Sequence, residues 1–458
     1  ATLDLRPSTT DYNLSTGDLT IAAGGTLDAT SAASTVTVSG NYSNSGTFTA
    51  GSSTVTFTAT DAGNTIQGTL SGATGKFYNI IFNGSGGEWT PNAAVEVTND
   101  LTMTAGSLLG TQDITVNGHV AGTAGFITLT GGTFEQRSTA SKNFGTTAGA
   151  AAWTFSDLTF SNGTAGGGIT FTTQTGGSGG ITVSGVLRVG KTGDVAGNTS
   201  TLDAGTRTWT LSGTGGDPFQ VLASPAGNLT PSTSTFDFTG ENGGGNTTVQ
   251  SETYYNLTIG CNAICLLDTY VFEAATTASN NLTLQAAATL DVVSGQNYGL
   301  TIGNNYSNSG TFTARNGTVT FNATDAGNTL SGTMTGASAF YSLTFNGVGG
   351  SWTLGAAIAT SGDLSVSNGT LDTSGTNYAV SIGTVGTLSI GAGGTLTANG
   401  STITISGGAG PLFTRSGTFT AGTSTVVIDS DASPTLTSGT ITFNNLTLSP
   451  TITVARTY

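Results

Sequence analysis

Apolar residues alternate with Thr and Ser along this chain in short runs, and Gly, Asn or Ser closes almost every run. The first clear examples are LTI at Leu19 to Ile21, TLDA at Thr26 to Ala29, VTV at Val36 to Val38, TFTA at Thr47 to Ala50 and VTF at Val55 to Phe57. Alternation of this kind predicts half-buried β-strands, because side chains point to opposite faces of a strand with a period of two. No stretch sustains a helical period, and a chain so rich in Gly, Asn, Ser and Thr resists one. Leu19 to Val36 spans 17 residues and Val36 to Val55 spans 19. That spacing predicts one coil of a β-solenoid with two or three strands per turn.

The pattern repeats at a second level. SGTFTAGSSTVTFTATDAGNT from Ser45 to Thr65 returns as SGTFTARNGTVTFNATDAGNT from Ser309 to Thr329 and, more loosely, as SGTFTAGTSTVVIDSDASPT from Ser416 to Thr435. GGTFEQRS near Phe134 and STSTFDFTGENGGGNT near Phe236 are weaker echoes. An aromatic-led strand follows each copy: FYNIIF from Phe77, FSDLTF from Phe155, YYNLTI from Tyr254, FYSLTF from Phe340 and FNNLTL from Phe443. These count about five degenerate modules, at approximately 1–110, 111–205, 206–300, 301–400 and 401–458, within a single continuous β-solenoid over 1–458. The expected fold is all-β, a parallel β-helix of roughly two dozen coils forming one elongated rod on the order of 100 Å long at about 4.8 Å per coil. Asn41 and Asn305, in NYSNSG, are expected at corners, where Asn can bond nearby backbone and adopt a left-handed conformation.

Composition narrows the partners. Charged residues make up 8% of the chain and Gly accounts for 71 of 458 residues, against about 25% and 7% in ordinary globular proteins. Disorder is disfavoured, because β-branched and aromatic residues recur at strand spacing. With 25 acidic and 10 basic residues the net charge is −15, and the sequence shows no basic run. Nucleic acid is therefore not expected as a partner. No apolar run is long enough to span a bilayer as a helix. The start at Ala1 fits a mature form left by cleavage at a small residue, and points to secretion or the cell surface.

Candidate chemistry is sparse. Cys261 and Cys265, in IGCNAICLLD, are the sole cysteines and are read as a local disulfide. A metal site there would need further soft ligands, and the single histidine, His119, is distant in sequence. Asp61, Asp325 and Asp431 recur at one module position and invite a calcium reading, but turn chemistry explains them better. No cofactor is expected, with calcium as the weak exception. Asp429 and Asp431 stand two apart, as an acid and base on one strand face would, yet Thr58 and Asn322 replace Asp429 in the sister copies. Thr47 and Thr49, Thr311 and Thr313, Thr395 and Thr397, and Thr418 and Thr420 form Thr-x-Thr pairs. They resemble ice-binding arrays, although Thr is also the natural polar residue of a solvent-facing strand. Trp89, Trp153, Trp209 and Trp352 are either sugar-stacking platforms or core. Asn41, Asn256, Asn305 and Asn322 open N-glycosylation sequons that such a composition also generates by chance.

The succession GDLTI, GGTLDA, NYSNSGTFTAG, STVTF and FYNIIF resembles the long repetitive surface proteins of bacteria and some archaea, and is similar in character to the β-helical shafts of filamentous-haemagglutinin-like adhesins. The resemblance implies a parallel β-helix, secretion and a scaffold or adhesion role. Neither end reads as a cap. TLDL at Thr2 to Leu5 opens the chain and TITVARTY closes it, while GDLTIAAGGTLDAT resembles TLGAAIATSGDLSVSNGTLDT from Thr353 to Thr373. The expected function is a non-enzymatic extracellular structural protein that assembles head to tail with itself, through Thr2, Leu3 and Leu5 at one end and Ile452, Val454 and Tyr458 at the other. An adhesin or glycan-binding shaft segment, meeting glycans or other surface proteins, is the alternative. A polysaccharide-active β-helix enzyme comes third.

Overall fold

The computed structural model describes residues 1–5, 11–30, 34–163, 167–195, 197–214, 216–223, 226–241, 243–260, 268–293, 295–408, 410–430, 434–437 and 439–449. The chain forms two compact units, Ala1–Thr235 and Phe236–Tyr458. Each is built from stacked coils whose successive strands pair in parallel, the β-solenoid architecture, with about 17 turns in all. Among the described residues the sole helical element is a single 3₁₀ turn, Gly336–Ser338.

In the first unit each coil runs through three faces. One ladder stacks Leu14–Thr16, Thr35–Val38, Thr54–Phe57, the start of Asn79–Pro91, Leu101–Gly110 and Val120–Gly122. A second stacks Leu19–Ile21, Tyr42–Asn44, Asn64–Gly68 and the end of Asn79–Pro91. The third face carries Thr2–Asp4, Thr26–Asp28 and Thr47–Thr49. Further along, Val95–Val97, Ile114–Val116, Thr133–Ser138, Asp157–Asn162, Leu187–Val189 and Phe219–Val221 stack in one sheet. The second unit repeats the scheme, for example in the ladder Ile358–Thr360, Val380–Ile382, Thr402–Ile405, Thr425–Ile428 and Asn445–Leu448.

The expected two dozen coils become about 17 because the turns are longer than the sequence spacing suggested. Leu19 and Val36 lie on different faces: Leu19 pairs with Tyr42, and Val36 with Leu14 and Val55. Measured between residues paired in successive strands, a coil takes from 19 residues, Leu101 to Val120, to 32, Leu187 to Phe219.

Parallel in-register stacking places like on like. Val36, Val55, Ile80, Leu101, Val120 and Phe144 form one column, and none is more than 2% exposed. Burying each such side chain contributes about 1.5–3 kcal/mol, which offsets the ordering of a chain with so much Gly. The strong sequence copies build superposable aromatic stacks. Phe57, Phe82 and Trp89 meet at ring separations of 5.2 Å along the series, and Phe321, Phe345 and Trp352 at 5.3 and 5.2 Å. The segment from each aromatic-led strand to its Trp is one 13-residue strand, Asn79–Pro91 or Ser342–Leu354. It turns the corner through NGSGG or NGVGG. A Cβ on Gly84 or Gly347 would lie 1.7 Å from the carbonyl oxygen of Ala59 or Ala323, so no other residue fits.

Corners are held by side chains that reach the next coil. Asp18 Oδ1 accepts from the Asn41 amide at 2.7 Å, and Asn41 Oδ1 accepts from the Thr65 amide at 2.9 Å. Asn281, Asn305 and Thr329 repeat this series. Asn41 and Asn305 thus bond backbone one coil away instead of their own turn, and neither adopts the left-handed conformation expected of it. A second Asn lies inside: Asn44 donates to the Thr69 and Thr74 carbonyls and accepts from the Gly46 amide, and Asn308 donates to Thr333 and accepts from Gly310. Replacing either by Ala strands buried backbone groups. Asn44→Ala and Asn308→Ala should each cost about 1–3 kcal/mol, with faster hydrogen exchange at Gly46 or Gly310. An unchanged melting curve and exchange pattern would show that these amides are dispensable.

Candidate functional site

The sequence-predicted positions fare unequally. Trp89, Trp153, Trp209 and Trp352 are at most 1% exposed, so they are core and offer no platform to a sugar. Asp61 and Asp325 accept from the side chains of Asn64 and Asn328 three residues on, the turn role. Among the described residues no three His, Cys, Asp or Glu side chains converge to hold a metal ion. Cys261, Cys265, Asp431, Ile452, Val454 and Tyr458 lie outside the described residues, and so does any pairing of Asp429 with Asp431. The Thr pairs occupy strands in register, and of the four pairs named, Thr395 and Thr397 stand directly over Thr418 and Thr420; Thr35 and Thr37 stand in the same way over Thr54 and Thr56. Elsewhere the neighbour in the stack carries Asp, as Asp28 beside Thr49 and Asp291 beside Thr313. Of the four sequon residues named, Asn41, Asn256 and Asn305 use their side-chain oxygens within the coil stack, and Asn322 is exposed.

Thr2–Asp4 pairs with Thr26–Asp28. Its inward residue Leu3 is 53% exposed, whereas Leu27 and Phe48, the next two in its column, are 3% and 1% exposed. Leu3, Leu19, Ile21 and Leu27 line a cavity of about 240 Å³. Leu5 is buried. In the second unit, Leu446 and Leu448 on Asn445–Leu448 are 43% and 69% exposed although they stack on buried Val426 and Ile428.

The other distinctive place is the sheet of the first unit that contains Thr133–Ser138. Five of the 10 basic residues, Arg137, Lys142, Arg188, Lys191 and Arg207, fall in this part of the chain. Three of them form ion pairs that the sequence did not reveal, since coil stacking joins residues as many as 57 positions apart. Lys191 Nζ donates to Glu135 Oε2 at 2.5 Å, Arg137 Nη2 to Asp194 Oδ1 at 3.4 Å, and Arg188 lies 3.8 Å from Asp157. The loop after Leu187–Val189 thereby crosses the outer face of Asp157–Asn162 and is stapled to Thr133–Ser138 on the far side. Beneath it Thr159 and Ser161, which would otherwise face water, are buried, and Ser161 Oγ donates to Glu135 Oε1 at 2.6 Å. Burial pushes the Asp194 carboxyl up, against the lowering effect of Arg137.

A signal for this site was present in the echo TFEQRS. Aligned with TFTAGS, Glu135 replaces the outward Thr49 and Arg137 replaces Gly51. Arg207 is different in kind. It is buried, and its guanidinium donates to the carbonyls of Thr146, Gln174 and Gly179, tying successive coils together from within. Two grooves flank the staple. One, about 560 Å³, includes Glu135, Arg188, Lys191 and Gln220. The other, about 430 Å³, includes Asn99, Asn117, Arg137, Ser138 and Lys142.

Comparison of the chain with protein-family models, curated proteins and solved structures finds no match.

One carboxylate of the second unit stands apart. Asp237, on the strand Thr235–Phe238, has a buried Oδ1 without a hydrogen-bond partner, and burial pushes its pKa up to about 6 from 3.8. The folded state then holds this proton more tightly than the unfolded chain, so stability falls as pH rises from about 4 to about 6 and stays lower above that range. Asp237→Asn should remove that slope and raise stability at pH 7 by up to about 3 kcal/mol. Urea denaturation at pH 4 and pH 7 checks this, and an unaltered pH dependence in the variant would rule out Asp237 as its source.

Proposed function

We propose that the protein is a non-enzymatic structural solenoid, secreted or displayed at a surface, whose coils continue from one copy into the next. The observation that carries this reading is Leu3, 53% exposed although it stands in register with the buried Leu27 and Phe48. An apolar column whose last side chain is open to water is a surface on which a further apolar layer can stack. The exposed Leu446 and Leu448 offer a second apolar surface of the same type.

A second copy is the proposed occupant, its exposed Leu446 and Leu448 meeting the open apolar column at Leu3. The contact is heterologous, and a heterologous contact that does not close on itself propagates. A Thr-rich outer face with few charged side chains suits a shaft whose surface is mostly hydroxyls.

Negative-stain electron microscopy and light scattering across a concentration series test the proposal. Threads that lengthen with concentration are expected, and Leu3→Lys should abolish them while leaving the circular dichroism spectrum unchanged, because a charge in the apolar column opposes burial of that surface against a second copy. Single particles at every concentration would overturn it.

A further inference from the structure

We propose that the groove beside Arg137 and Lys142 binds the anionic group of an acidic saccharide. The inference is independent of end-to-end assembly, since the groove lies on the outer face of coils well inside the first unit.

The first observation is charge. The chain has 25 acidic and 10 basic residues, yet this groove brings together two cations and no carboxylate lines it. Lys142 has no ion pair or side-chain hydrogen bond among the described residues. A lone lysine on a strongly acidic protein attracts anions weakly by itself; here Arg137 supplies a second, oriented cation.

The second observation is that orientation. Arg137 Nη2 donates to the Gly163 carbonyl at 3.1 Å and to Asp194 Oδ1 at 3.4 Å. The Asp194 side chain is 2% exposed, fixed under the stapled loop, while Arg137 is 36% exposed. One nitrogen of the guanidinium, Nη2, is therefore tied to the protein, and Nε and Nη1 have no partner among the described residues. Held in this way, a planar guanidinium loses little freedom on meeting a carboxylate or sulfate, which it can engage by charge-assisted hydrogen bonds from Nη1 or Nε.

The third observation is what surrounds the cations. Asn99, Asn117, Ser138 and Thr139 contribute amides and hydroxyls, and Ala140 contributes the one apolar side chain. Asn99 Nδ2 already donates to Asn79 Oδ1 at 2.8 Å, which leaves its own oxygen as an acceptor. A wall of amides and hydroxyls, able to donate and accept, matches a polyhydroxylated ligand and gives a peptide no apolar anchor. The volume of about 430 Å³ falls within the range of about 300–1,000 Å³ for small-ligand sites. A sugar unit bearing a carboxylate or sulfate combines both requirements.

The test is a titration of the full chain by calorimetry with three probes: a trigalacturonate, a neutral maltotriose and sodium sulfate. Trigalacturonate should bind, weaken as salt is raised, and lose about tenfold or more in affinity in Lys142→Gln and in Arg137→Gln. Asp194→Asn should weaken binding through loss of orientation, and Glu135→Gln, on the other flank of the staple, should leave it unchanged. Thermal melts of each variant establish folding, and Arg137→Lys preserves charge if Arg137→Gln does not fold. Equal binding of maltotriose would overturn the anionic requirement, equal binding of sulfate alone would overturn the saccharide, and no binding by any probe would overturn the site.

Discussion

The parallel backbone ladder between successive coils is the constraint on which the rest depends. Each strand satisfies its amides and carbonyls with the strand one coil before and one coil after, so the ladder fixes which residue stands over which. Leu3 then lies over Leu27 and Leu27 over Phe48, and a shift of one position would turn a whole apolar column to water. The ladder fails wherever the chain turns, because corner amides have no strand partner. There Asp18, Asn41, Asp100 and Asp363 take over, each carboxylate or amide oxygen accepting from a backbone N–H one coil later. The corners therefore continue the same inter-coil bonding by side chains.

This constraint explains an unusual composition. A solenoid needs inward positions that stack on themselves, outward positions that tolerate water and stiff φ/ψ, and corners that admit close approach of the next coil. Val, Ile, Leu and Phe fill the first, Thr and Ser the second, Gly, Asn and Asp the third. Long charged side chains meet none of these needs on most coils, which fits a chain with 8% charged residues. The exception is therefore informative. Around Thr133–Ser138 the outward Thr and the corner Gly are replaced by Glu135 and Arg137, a loop folds back over the face, and ion pairs fix it there. A groove with spare cationic donors results, on a surface that elsewhere presents mostly hydroxyls.

The two strong sequence copies show how far local identity carries into structure. Asn79–Pro91 and Ser342–Leu354 share one burial pattern along all 13 residues, and the aromatic rings behind them meet at matching separations. The glycines of NGSGG and NGVGG read in sequence as turns. They do turn the corner, and they are also points of contact with the previous coil, since Gly84 and Gly347 abut the carbonyls of Ala59 and Ala323. Spacing alone could not separate these two uses of Gly, because both produce the same break in the apolar pattern.

By itself the sequence determined the all-β class, the parallel solenoid, and most strand positions, because alternation with period two is a local property that survives any tertiary arrangement. The motifs GGEWT and GGSWT also mark Trp89 and Trp352 as equivalent positions of the first and fourth modules. Coil length was decided only by the tertiary structure: the face a strand joins depends on how the chain turns between strands, so Leu19 and Val36 looked like successive rungs and proved to lie on different faces. The fate of the Trp side chains was likewise decided by packing, since an aromatic at a strand position suits core and surface equally until its neighbours are in place. The pairing of Arg137 with Asp194 and of Lys191 with Glu135 was hidden for the same reason. Those partners lie more than two coils apart along the chain, and stacking alone brings them within bonding distance.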